Sequence, residues 1–145
     1  MIFNSFQRDD DDKVFTIVRN VSGATLAVGE ACVWDSGASR DGVRVTQAAA
    51  TTLCLFRGIV AESLADSAYG KVQVHGLFTD ASVTNDTSIS VAAGSPLLAV
   101  ASQDYLKPLI NTATGYEGFV YAAEAYADNT SVVAAAEKDV FIRAL

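Results

Sequence analysis

The feature that most constrains this chain is a period-two alternation of apolar and polar residues, cut into short runs by turn residues. Lys71-Val-Gln-Val-His75 is the clearest case: Val72 and Val74 share one face, Lys71, Gln73 and His75 the other, and Gly70 and Gly76 bound the run. Side chains alternate across a strand, so this spacing predicts a half-buried β-strand and excludes a helix there. Val43-Arg-Val-Thr46 repeats the pattern after an Asp41-Gly42 turn signal. Val14-Phe-Thr-Ile-Val-Arg19 and Ala31-Cys-Val-Trp34 are dense in β-branched and aromatic residues, and Asn20-Val-Ser-Gly23 turns the chain after the first of them.

Leu53-Cys-Leu-Phe-Arg-Gly-Ile-Val60 reads as a longer strand in which Gly58 marks a bulge or a close backbone approach. Residues 81–90 are rich in Asn, Thr and Ser and are expected to form a loop or a weak edge. Leu97-Leu-Ala-Val100 is a strand, and Lys107-Pro108 breaks the next run. Phe119, Tyr121 and Ala123 alternate as in a strand, while the Ala and Glu content of residues 117–127 also suits a short helix; the company of strands favours the former. Residues 132–138 share that ambiguity, and residues 139–145 close the chain with a strand. No internal repeat stands out. Strand signals every ten residues or so favour an all-β fold, a small antiparallel β-barrel or β-sandwich.

Residues 1–13 differ from the rest and read as an extended acidic arm ahead of a single domain over 14–145. Asp9, Asp10, Asp11 and Asp12 repel one another and resist both helix and strand. The run with Lys13 also matches a protease-cleavage linker, but Phe3 and Phe6 are foreign to a linker. Two readings stand side by side: a solvated terminus, and an arm whose Phe3 and Phe6 dock on a neighbour while the aspartates meet basic residues there.

Half of the residues are hydrophobic, enough for a core, but many are Ala and only 9% are aromatic. Small side chains bury little area each, so burial against other chains would help such a domain. The net charge of −7 and the scattered Lys and Arg argue against nucleic acid as partner. No signal-peptide pattern opens the chain, and no apolar run approaches the ~20 residues that span a bilayer, so no membrane is expected and synthesis in a reducing cytoplasm is. Cys32 and Cys54 read as reduced core cysteines, a disulfide requiring adjacency that spacing cannot show. The sequons at Asn20, Asn85 and Asn129 read as chance matches.

No reaction is legible. His75 is the only histidine, lies in a strand pattern, and has no GxSxG elbow to serve, so it reads as an exposed strand residue. Glu30, Asp35 and Glu62 could converge as a glycosidase pair, though loop acids are the plainer reading. Asp9–Asp12 lack the spacing and turn glycine of a calcium loop. Trp34 could stack on a sugar together with tyrosines, but its apolar run favours a core position. Neither a catalytic residue nor a cofactor or metal is expected.

Beyond strand propensity, four segments resemble a known family: Asn20-x-Ser-Gly-Ala-Thr-Leu-x-x-Gly29-Glu-x-x-x-Trp-Asp35, Asp41-Gly-Val-x-Val-Thr46, Phe56-x-Gly-Ile-Val-x-Glu62 and Tyr69-Gly-x-Val-Gln-Val-x-Gly76. They look like the small capsid decoration (cement) proteins of tailed bacteriophages, over about the first half of the domain. The resemblance implies a non-enzymatic virion protein on the capsid exterior, often a homo-trimer, that clamps the major capsid protein. It makes Phe3, Phe6, Arg8, Asp9, Asp10, Asp11 and Asp12 the candidate capsid contacts. A phage tail or fibre adaptor module is the alternative from the same viral setting, and a carbohydrate-binding β-module the alternative outside it.

Overall fold

The computed structural model describes residues 12–37, 41–48, 55–84, 90–100, 105–109, 119–126 and 136–144. Among these the chain is all β. Its strands are β1 (Val14–Asn20), β2 (Ala31–Trp34), β3 (Arg44–Thr46), β4 (Phe56–Val60), β5 (Tyr69–Val83), β6 (Pro96–Ala99), β7 (Leu106–Pro108), β8 (Val120–Ala122) and β9 (Ala136–Arg143).

The first five strands lie in the order β1-β3-β2-β4-β5 and close into a barrel because β5 also pairs with β1. The remaining strands repeat the scheme: β5-β7-β6-β8-β9 closes through β5 and β9. The fifteen-residue β5 therefore belongs to both rings, its first half to one and its second half to the other. Each ring contains one parallel pair, β1–β3 and β5–β7. The small all-β barrel expected from the sequence is present, mostly antiparallel, with these two parallel pairs added. The reason is topological: strand directions cannot alternate all the way round a ring with an odd number of members.

The repetition reaches individual hydrogen bonds. Leu26 and Leu64 exchange a reciprocal backbone pair across the first ring, as Val91 and Tyr126 do across the second. The turn at Gly29 donates its N–H to the carbonyl of Val60, and the turn at Gly94 donates to Ala122. Glu62 Oε1 accepts the Lys71 N–H at 2.9 Å, and Glu124 Oε1 accepts the Asp139 N–H at 3.1 Å. An internal repeat does exist. It escapes a sequence reading because the residues held in common, Ala-x-Gly at 27–29 and 92–94 and Ala-Glu at 61–62 and 123–124, are few and common in turns.

Val18, Leu26, Cys32, Val45, Val60, Leu64, Val72 and Val74 fill the first ring. A larger core holds Phe78, Ala81, Val83, Leu97, Leu106, Val120, Val140 and Ile142 of the second ring, and Ala31, Val33, Phe56 and Ile59 as well. Strands β2 and β4 are consequently buried on both faces: Cys32 and Val60 point into the first ring, while their sequence neighbours point out of it, into the second core. One wall serving two cores spares the fold a second solvent-facing layer.

Two glycines make this wall possible. At Gly58 a Cβ would be driven into the backbone carbonyl of Gln73, and the β2–β4 register shifts beside it, as the sequence reading of a bulge or close approach anticipated. Gly29 has φ of +87°, and a Cβ there would lie 2.5 Å from the Asp80 carbonyl oxygen, so the turn and β5 can touch only without a side chain.

Most expected strands are present, with two corrections. Ala81–Val83 is not a loop but the end of β5, paired with Lys138, Glu137 and Ala136 of β9. Lys107-Pro108 does not break a run: both belong to β7, where Pro108 closes the strand. Residues 120–122 settle as strand β8 rather than helix. Residues 1–11 of the arm and Cys54 lie outside the described residues.

Candidate functional site

The outer side of the first barrel is set by the alternation of β1. Val14 and Val18 pack on the first core, which turns Phe15, Ile17 and Arg19 outward. Opposite them on β5 are Gln73, Lys71 and Tyr69. Phe15, Ile17 and Tyr69 are 47%, 56% and 65% exposed, so three large apolar side chains stand in water on neighbouring strands. The Arg19 guanidinium lies over the Tyr69 ring, 5.9 Å from its centroid, and its Nε donates to the Ser67 carbonyl at 3.3 Å. This face is apolar along its middle and cationic at its edges.

At the waist between the rings, Val14 of β1 and Arg143 of β9 both lie opposite His75, so the described chain starts and finishes at one place. His75 is half-buried there rather than exposed. Its Nδ1 is 3.2 Å from the Asp12 carbonyl oxygen, and its ring meets Phe141 edge-on at 5.6 Å. That setting fixes the ring against backbone and an aromatic neighbour, as a packing residue. Gln73 departs further from expectation. It shares a face with Lys71 as the alternation requires, yet it is only 2% exposed, and its Nε2 donates to the carbonyls of His75 and Leu77, each at 3.0 Å.

An open cleft of about 490 Å³ lies beside β2, lined by Trp34, Asp35, Ser36, Asp41, Gly42, Arg44 and Leu55. Trp34 both packs on the first core and lines this cleft. One face of the indole is covered by the Arg57 guanidinium, 4.7 Å from the ring centroid. Only its rim and opposite face remain for any ligand. The Arg57 Nε is buried without a hydrogen-bond partner among the described residues, and burial lowers the Arg57 pKa from its ordinary value. The cation–π contact offsets part of that cost.

The acids considered for catalysis are each bound to a backbone amide. Glu30 Oε2 accepts the Ala27 N–H, Asp35 Oδ1 the Gly37 N–H, and Glu62 Oε1 the Lys71 N–H. Asp41 accepts the Val43 and Arg44 N–H groups and the Arg44 Nε–H, and these bonds, the Val43 amide first, hold its carboxyl below the usual range. Among the described residues no group of three or more His, Cys, Asp or Glu could hold a metal ion. No described helix is long and apolar enough to cross a membrane.

Two further groups are buried, Cys32 as the sequence leads one to expect and Asn20 against expectation. Cys32 is a free thiol whose pKa burial pushes up to about 12, which leaves it protonated and unreactive. Asn20, expected to open a turn, is fully buried as well: its Nδ2 donates to the Ala24 and Leu64 carbonyls and its Oδ1 accepts the Ser22 N–H. An Asn ahead of Ser-Gly is the signal that could have revealed this Asx turn. It also removes Asn20 from consideration as a glycan acceptor.

No family model matches the chain, and no curated protein does. Among solved structures the chain is similar to the N base of head fiber gp8.5 in bacteriophage phi29. The TM-score is 0.52 at 13% identity, over 91% of this chain and 96% of that one. The resemblance to capsid decoration proteins is corrected by this finding, since the matching structure is a fibre base. The reason lies in which residues carried the resemblance. Leu26 makes a bridge, Gly29 a tight turn against β5, and Tyr69–Gly76 the shared strand. They encode a ring and its closure. The cementing function, and the decoration role it implied, fall with that resemblance.

Proposed function

We propose that this chain is a non-enzymatic, fibre-type structural module of a phage virion, a base on which a fibre is mounted. The observation that carries the reading is whole-domain likeness: nearly all of this chain and nearly all of a head-fibre base share one fold. Likeness of fold sets a starting point for function. Three features of the molecule agree with it. A single strand, β5, runs through both rings, so force applied to one ring reaches the other through covalent backbone. Strands β1 and β9 both meet β5 at His75, which ties the two rings together at one point. The candidate catalytic acids each accept a backbone amide.

The test is location. Antibodies against the folded domain, applied to purified virions and viewed by electron microscopy, should label a few discrete positions at the bases of fibres. Dense labelling over the whole shell, or none on intact particles, would overturn the reading.

A further inference from the structure

We propose that the outer face of β1 and β5 is a docking surface for residues 1–11 of a second copy of this chain. Phe15, Ile17 and Arg19 follow one another on the outward side of β1, Lys13 is exposed just ahead of the strand, and Arg19 pairs with Tyr69 and Ile17 with Lys71 across the ladder. Three large apolar side chains there are exposed. Beside them stand Lys13, Arg19 and Lys71, none of which forms an ion pair among the described residues. In a chain of net charge −7 with ten cationic residues, three unpaired cations on one apolar face form a local reversal of sign. Of the acids around this face, Glu62 and Asp66 accept the backbone amides of Lys71 and Gly23, and Asp12 directly precedes Lys13.

Residues 1–11 carry the complement. Met1, Ile2, Phe3 and Phe6 supply apolar side chains, and Asp9, Asp10 and Asp11 supply negative charge. The dimensions agree as well. An extended chain from Phe3 to Asp10 spans about 23 Å, and the strand path from Lys13 to Arg19 spans about 20 Å. Apolar contact along the middle with opposite charge at the rim is the usual composition of a specific interface.

The occupant belongs to another copy because of where the chain enters. Asp12 lies against His75 and Gly76 at the waist, so the path upstream of Val14 leads away from Ile17 and Tyr69. To lie on its own face the segment would have to reverse within Asp9–Asp12, where four adjacent carboxylates oppose a tight turn. Reaching a neighbour requires no reversal, and two copies exchanging arms would form a closed, self-complementary pair.

The experiment is sedimentation equilibrium of the full chain over a range of concentration and salt, with two double variants. Phe3→Ser with Phe6→Ser removes the apolar anchors of the arm; Arg19→Glu with Lys71→Glu reverses the charge of the face. The wild type should self-associate, more weakly at high salt. Each variant should weaken association by about tenfold or more. An equimolar mixture should associate more strongly than either variant alone, since one supplies intact arms and the other intact faces. A wild type that stays monomeric, as docking within one chain would give, overturns the proposal. So does either variant associating as the wild type does, or a mixture no stronger than its components. Should the charge-reversed variant fail to fold by circular dichroism, Ile17→Ser takes its place with the same expected result. None of these outcomes depends on where the protein sits on a virion.

Discussion

Gln73→Leu is the sharpest test of the strand shared by the two rings. The β1 ladder along β5 ends where Val14 faces His75, and the Gln73 side-chain amide supplies donors to the carbonyls of His75 and Leu77, each at 3.0 Å. Leucine fills a similar volume and donates nothing. Each part-buried carbonyl left without its donor costs about 1–2 kcal/mol, or about 2–4 kcal/mol for the pair. The greater apolar burial of leucine returns about 1 kcal/mol. A net loss of about 1–3 kcal/mol is therefore expected. Urea unfolding followed by the fluorescence of Trp34, the sole tryptophan and a first-ring residue, and by far-ultraviolet circular dichroism, which senses both rings, measures it. The two probes should give one coincident transition, because β5 cannot leave one ring and stay in the other. A variant within about 0.5 kcal/mol of wild type would refute the role given to Gln73. Separate transitions for the two probes would refute the mechanical unity of the rings.

Leu64→Ala empties the plug of the first ring, where Leu64 is fully buried against Leu26, and should cost about 2–5 kcal/mol in the same urea assay. Gly29→Ala places a Cβ against the Asp80 carbonyl at positive φ and should lower the thermal midpoint, whereas Gly23→Ala, also at positive φ but with open space around it, should lower it less. The Cys32 thiol is held protonated in the fold up to about 12, against an ordinary value of 9.0. The native protein binds that proton more tightly than the unfolded chain, so stability is unaffected below 9.0 and falls as pH rises through that window. Cys32→Ala should have a shallower loss of stability there, and the wild-type Cys32 thiol should react with a thiol reagent only on unfolding. The Asp41 carboxyl, held down first by the Val43 amide, should titrate below the ordinary 3.8 by NMR, and removing the Arg44 partner with Arg44→Ala should move it part of the way back.

Local chemistry carried a large share of this protein. The β-branched and aromatic density of residues 14–19, the Val72/Val74 alternation and the Asp41-Gly42 turn define strands and turns through interactions reaching only two or three residues, so they are readable in order along the chain. Gly58 was legible for the same reason, since a glycine inside an apolar run leaves few explanations besides a bulge or a close backbone. Alternation also told correctly which residues share a face: Gln73 does lie with Lys71. What alternation cannot tell is what lies beyond that face. Outside the first ring, one direction meets water, exposing Phe15, Ile17 and Tyr69, and another meets a second core, burying Ile59, Phe56 and Gln73. Closure through β1–β5 and β5–β9, and the use of one strand by two rings, rest on pairings between residues as distant as Val14 and His75 or Val83 and Ala136. By itself, then, the sequence determined that the chain is β and where it turns. Tertiary structure alone decided which polar residue is buried and which apolar residues are left for a partner, because those depend on which surfaces long-range pairing brings together.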